Sequence, residues 1–231
     1  MNLKDYKYKT EMHAHTTPAS TCSQIPVEDE IRIYSELGYD SIVICNHFMS
    51  DYHGDKDEAV AVMLKDYHEA CRHAKKYGIN VILGCEIRFT ESFNDYLLFG
   101  IDEDFFSEAF DYLNRGIAVF SKWFRNNDRV LIQAHPFRNG CNIIDPKYLD
   151  GIETFNVHPG HNSRVAVASQ YAKEHDMIVS VGTDFHHPTH EGLSALLTKE
   201  PVTNSFELAK VLRSRDYLFE VAGSIILPYG I

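Results

Sequence analysis

The chain has 231 residues, 44% hydrophobic and 24% charged, with a formal net charge of −11 when histidine is neutral, which suits one soluble domain over residues 1–231. The acidic balance argues against DNA or RNA as a partner, because nucleic-acid binders carry a basic footprint. No stretch has the apolar length of a membrane span and residues 1–9 hold no apolar signal segment, so the expected location is the cytoplasm.

In chain order, residues 8–12 are a short β-capable run leading into His13 and His15. Strand side chains alternate, so both rings share a face and can reach one cation. Pro26 opens a helix at its first position, which runs through Ile31, Ile33, Tyr34 and Leu37 to Gly38. Residues 41–45 are a β-branched strand ended by Asn46 and His47. A helix covers about 57–77, with Val60, Met63, Leu64, Tyr67, Ala70, Cys71 and Ala74 at helical spacing and Gly78 as its stop. Strands follow at 80–88, which carries Glu86 and Arg88, and at 96–100. Helical material at 105–124 breaks near Gly116. A strand at 129–135 ends at His135, one at 151–156 carries Glu153 and Asn156, and a helix spans 163–175. The strand at 177–182 leads into Asp184 and His186. After it come a His-, Pro- and Gly-rich loop at 187–192, a helix at 205–214 and an apolar run at 217–221.

Alternating strands and helices with buried-type strands imply a parallel sheet. The polar residues fall at the carboxyl ends of many strands, not at one switch point. That distribution predicts an α/β barrel built from about seven strand units. The five cysteines are odd in number, and Cys45 and Cys85 read as reduced core residues. Histidine with carboxylate, free of clustered thiolates, suits catalytic Zn, Mn or Fe. Glu86 can bridge two such ions, and closely spaced metals activate water and clamp phosphoryl oxygens. Arg88 shares Glu86's strand face and Arg138 lies in the loop after His135, so both are expected to meet a phosphate.

In order and spacing, His-x-His-Thr, Asn-His, Gly-x-Glu, Ala-His-Pro, Glu-x-x-Asn and Gly-Thr-Asp-x-His resemble the PHP (polymerase and histidinol phosphatase) superfamily. The resemblance runs from residue 11 to about 190. It implies a distorted seven-stranded (β/α)7 TIM-like barrel and hydrolysis of phosphate esters at a site of one to three divalent metals. His13, His15, Glu86 and Asp184 match the first metal position, Glu86 and His135 the second, and His47 and His186 the third. Asn156 supports the site. His47 or His186, where not engaged as a ligand, would protonate the leaving alkoxide. The chain departs from the family pattern at Glu11, Thr21 and Asn46, and Asp95 stands in for a histidine before the 96–100 strand as an oxygen ligand.

The expected substrate is a small phosphorylated metabolite, with histidinol phosphate one family precedent; the oligomeric state is left open. Two other functions compete, a metal-dependent amidohydrolase barrel and a catalytically silent binding module. His158, His161, His187 and His190 read as solvated loop residues, with His187 the first exception to expect. His53, His68, His73 and His175 read as surface or helix residues.

Overall fold

The computed structural model describes residues 2–50 and 54–229; His53 lies outside them. The first half holds the strands Tyr8–Ala14 (β1), Ser41–Ile44 (β2), His47–Phe48 (β3), Asn80–Leu83 (β4), Cys85–Arg88 (β5) and Asp95–Phe99 (β6). The second half adds Val130–Gln133 (β7), Gly151–Asn156 (β8), Ile178–Gly182 (β9), Ser194–Thr198 (β10), Leu218–Val221 (β11) and Ser224–Ile226 (β12). Val43 pairs with Ile82 in the parallel β2–β4 ladder, and both enter one core cluster. Ile42, Ile44 and Val81 enter a second cluster on the opposite face. Both faces are covered, so these strands read as continuous apolar runs.

Among the described residues the strands form two six-stranded sheets, ordered β12-β11-β10-β1-β2-β4 and β3-β5-β6-β7-β8-β9. The expectation of an all-parallel sheet is corrected at β6, which runs antiparallel to both β5 and β7. Only residues 89–94 join β5 to β6, and that is too short for a parallel crossover, which takes about a dozen residues or more. A closed seven-stranded barrel is likewise not defined: β9 and β1 approach through an isolated bridge between Ala14 and Phe185. The strands β3, β10 and β12 lie outside the predicted runs, and β10 pairs antiparallel with β1 and with β11.

The helices are Val27–Glu36 (α1), Lys56–Tyr77 (α2), Phe105–Phe110 (α3), Ile117–Phe124 (α4), Val165–Glu174 (α5) and Ser205–Ser214 (α6). Pro26 sits at the cap of α1, not inside its first turn. Asp55 caps α2 by accepting from the Glu58 amide at 3.1 Å. Gly78 ends it at φ 74°, a left-handed conformation that glycine adopts without steric cost. Gly116, at φ 73°, marks the expected break before α4. All five cysteines are free, with Cys45 and Cys85 buried. No described helix is long and apolar enough to cross a membrane.

Candidate metal centre

β1 delivers His13, and His15 follows one residue past its end, both fully buried. His13 Nδ1 is 2.9 Å from Glu153 Oε1, and a carboxylate only accepts, so Nδ1 carries the proton. In the neutral ring that ligation requires, His13 Nε2 carries the lone pair, and it faces Glu86 Oε1 at 3.4 Å and Asp184 Oδ1 at 3.6 Å. The Ser20 hydroxyl donates to Asn46 Oδ1 at 2.9 Å, which makes His15 Nδ1, 3.1 Å away, the donor to Ser20. His15 Nε2 is thereby turned on Glu86 Oε2 and Asp184 Oδ1, each at 3.4 Å. Both rings present a lone pair to one space.

Strand register supplies the rest. His47 and Glu86 are direct partners across β3 and β5, with His47 Nδ1 2.8 Å from Glu86 Oε2. His135 Nε2 approaches Glu86 Oε1 at 3.2 Å and Asp95 Oδ2 at 3.8 Å. Arg88 and Asp95 are partners across β5 and β6, joined by two hydrogen bonds of 2.6 Å each. The Arg88 guanidinium is therefore engaged in orienting Asp95. Asp184 receives Asn156 Nδ2 at 3.1 Å and has His186 Nδ1 at 3.2 Å. His135 and Asp184 have positive φ, 30° and 54°, the kind of backbone strain that concentrates at functional sites.

Three sets of ligand atoms each lie within 4.8 Å of one another: His15, His47 and His186; His13, His15 and Asp184; and His47, Glu86 and Asp95. His13 Nε2 and His15 Nε2 are buried without a hydrogen-bond partner. Native proteins rarely leave such atoms unsatisfied, so this donor set fits divalent cations. The charge balance agrees. Burial opposes charge on His13, but Asp184, Glu153 and Glu86 outweigh it and hold the ring's pKa well above its ordinary value. His15 is pushed well below by burial and by its neighbours His186 and His47. Burial would raise Glu86 and Asp184, yet the surrounding histidines hold both carboxyls well below their usual range.

A second layer holds the gathered side chains in place, and of it the sequence pointed only to Glu153 and Asn156 at a strand end. Glu153 Oε2 accepts from the His135 amide at 2.9 Å and from Asn156 Nδ2 at 3.0 Å, so one carboxylate aligns β7, β8 and His13. Glu11 is fully buried and accepts from the amides of Met12, His13 and Thr183, each at 3.0 Å. It also accepts from the hydroxyls of Thr183 and Tyr34, and so ties β1 to the turn that bears Asp184. Asn46 accepts from the Thr16 amide at 2.7 Å, and Thr16 Oγ1 donates to Asp66 Oδ2 at 2.8 Å, placing the nearby carboxylate on α2. Ser20 also accepts from the His47 amide at 2.9 Å. Thr21 is exposed, while the next residue, Cys22, hydrogen-bonds to both His47 and His186.

The reading of the rim histidines needs one correction. His161 is only 13% exposed at its side chain and lies 3.3 Å from Asp184 Oδ2, stacked on His158 at 4.1 Å between ring centroids. It, and not His187, is the loop histidine nearest the gathered carboxylates. Burial draws His158 down to about 4. Arg138 lines a recess beside His135, to whose carbonyl its amide donates at 3.0 Å.

The PHP domain family model matches residues 11–221. The chain belongs to the PHP domain family. Among solved structures, a protein of Bifidobacterium adolescentis described as a candidate metal-dependent phosphoesterase superposes with a TM-score of 0.54 at 14% identity, over 90% of this PHP chain and 96% of that one. A two-domain protein of Bacteroides vulgatus, described as containing a PHP-like metal-dependent phosphoesterase on the strength of prediction, gives 0.61 at 16% identity, over 92% of this chain and 64% of that one. An amidohydrolase of Chromobacterium violaceum, with sulfate bound and no metal, gives 0.54 at 12% identity, over 95% and 98%. No curated protein matches the sequence. At these identities the structural likenesses establish the fold, and the family model establishes membership.

Proposed function

We propose that this PHP-domain protein is a metal-dependent phosphoesterase acting on a small phosphorylated metabolite. One observation carries the reading: the buried Glu86 carboxylate is surrounded by the rings of His13, His15, His47 and His135 at 2.8–3.4 Å. Family membership and the descriptions of the first two neighbours support it. Zn, Mn or Fe would be held by His13, His15, Glu86 and Asp184 at one position and by Glu86, Asp95 and His135 at another. A further position would use His47 and His186. When bound, such ions supply activation of water near neutral pH and neutralise charge on phosphoryl oxygens. Where no ion engages that further position, His186, whose Nδ1 faces Asp184, would deliver a proton from Nε2 to the leaving alkoxide, with His47 the alternative donor. Glu153 and Ser20 hold His13 and His15 in the tautomer that ligation requires. The same reading takes β1, β2–β3, β4–β5, β6, β7, β8 and β9 as the staves of a distorted barrel, an arrangement supported by the Ala14–Phe185 bridge.

The test is a screen of the Mn²⁺- or Zn²⁺-loaded protein against phosphorylated metabolites, with His13→Ala and Asp184→Ala as controls. Turnover that both variants abolish is expected. A second reading, an amidohydrolase, draws on the description of the Chromobacterium neighbour. Against it, residues 96–102, where such barrels often carry a bridging lysine, hold none. Turnover of amides or lactones in place of phosphate esters would establish that second reading. Substoichiometric metal that no added ion restores would instead indicate a binding module.

A further inference from the structure

Residues 136–143 form the loop that leaves β7 at His135, and with Arg164 they line a recess of about 400 Å³. No carboxylate lines it, although the chain carries a net charge of −11. Its wall reaches the candidate centre, because Cys141 Sγ lies 3.8 Å from His135 Nδ1. The loop is held at several points. Gln133 Nε2 and Asn94 Nδ2 donate to the Asn142 carbonyl at 2.7 and 2.8 Å, and the Asn142 amide donates to Asn94 Oδ1 at 2.9 Å. From the other side Arg164 donates to the Phe137 carbonyl and to Asn139 Oδ1.

Arg138 stands apart in this frame. Its side chain is partly buried, yet it is the one guanidinium among the described residues with no hydrogen-bond, ion-pair or aromatic partner. Arg88, Arg125, Arg213 and Arg215 each meet an aspartate, Arg164 braces the loop, and Arg129 lies over Trp123. A guanidinium in a rigid, acid-free recess suits bidentate capture of a planar or tetrahedral oxyanion.

Building on the phosphoesterase reading, we propose that this recess takes the far, non-reacting end of the substrate, and that this end carries a phosphate or carboxylate gripped by Arg138. The substrate class is then a phosphate ester with a second anionic group, so that affinity depends on both ends. The recess thus acts in specificity and stands apart from the residues that gather around Glu86.

The experiment is calorimetric titration of the Mn²⁺-loaded full chain with three non-hydrolysable series of graded spacer length: simple alkylphosphonates, α,ω-bisphosphonates and ω-phosphonoalkanoates. At least one doubly anionic ligand is expected to bind about tenfold or more tightly than the alkylphosphonate of equal length. Whether the bisphosphonate or the phosphonoalkanoate wins identifies the distal group. Arg138→Gln should remove most of that advantage and Arg138→Lys should retain part of it, with thermal midpoint and metal content measured for both. Equal binding across every spacer length overturns the proposal, as does an advantage that survives Arg138→Gln. Turnover of simple phosphate monoesters is scored separately. Hydrolysis without discrimination between the ends sinks this inference alone, whereas selective binding without any hydrolysis sinks the phosphoesterase reading.

Discussion

Glu86 is fully buried, and a carboxylate in that setting persists only when its charge is met. In the metal-free protein, protons on the surrounding rings meet it. Burial works against a charged His47, but Glu86 and Cys22 outweigh it and lift the ring from its ordinary 6.5 to about 9. His186 is likewise lifted against burial, to about 10, chiefly by Asp184 and Cys22. Folded values above the unfolded ones mean stability that is complete below pH 6.5 and lost as pH rises through 9 to 10. The thermal midpoint of metal-free protein should therefore fall across that window. Metal must displace these protons, so binding at neutral pH should release them, detectable as calorimetric heats that vary with buffer ionisation enthalpy. An unchanged midpoint with no proton release would contradict the assignment. Glu153→Gln should weaken metal affinity by about 10–100-fold, because His13 loses a charged acceptor; competition with a chelator measures it. The gathered histidines were legible in the sequence, since alternation along a strand places His13 and His15 on one face. The roles of Glu153, Ser20 and His161 were not, because they arise from approaches between segments distant in the chain that no local pattern encodes.

At the level of strands and helices, α2, α4 and α6 follow from apolar spacing and from Asp55, Gly78, Gly116 and Asn204 at their ends. The reversal of β6 was indicated by the short 89–94 connection, yet the apolar run itself carries no direction. The strand β10 escaped notice because five residues beside a His- and Gly-rich loop offer too little pattern. Gly182 shows how element packing reaches the ligands. A Cβ built there would overlap His13 Cβ and Glu153 Oε1, so Gly182→Ala must push apart β1 and β8. A loss of about 1–3 kcal/mol in denaturant unfolding is expected, together with weaker metal binding. Glu11→Ala strands the buried amides of Met12, His13 and Thr183 and should cost about 2–4 kcal/mol in the same assay. A cost within experimental error for either variant would show that β1 is not held as described.

Across the whole molecule, a cation bound only by the folded state adds stability that grows with its free concentration, about 4 kcal/mol at a thousandfold excess over Kd. Chelation should lower the thermal midpoint, and titrating Mn²⁺ or Zn²⁺ back should restore it in a dose-dependent way. A net charge of −11 favours uptake of cations and disfavours anionic substrates. The uncommitted guanidinium of Arg138 offsets the second effect locally.

The residues that converge on Glu86 come from positions scattered between His13 and His186. A nascent polypeptide emerging from the ribosome thus holds the earliest of these groups long before the latest is synthesised. No half of the protein can assemble the pocket by itself, and an ion caught early would meet only loosely arranged partners. Loading is accordingly a closing step of maturation, and a ribosome-stalled fragment that stops before Asp184 should not retain metal at the strength of the finished protein.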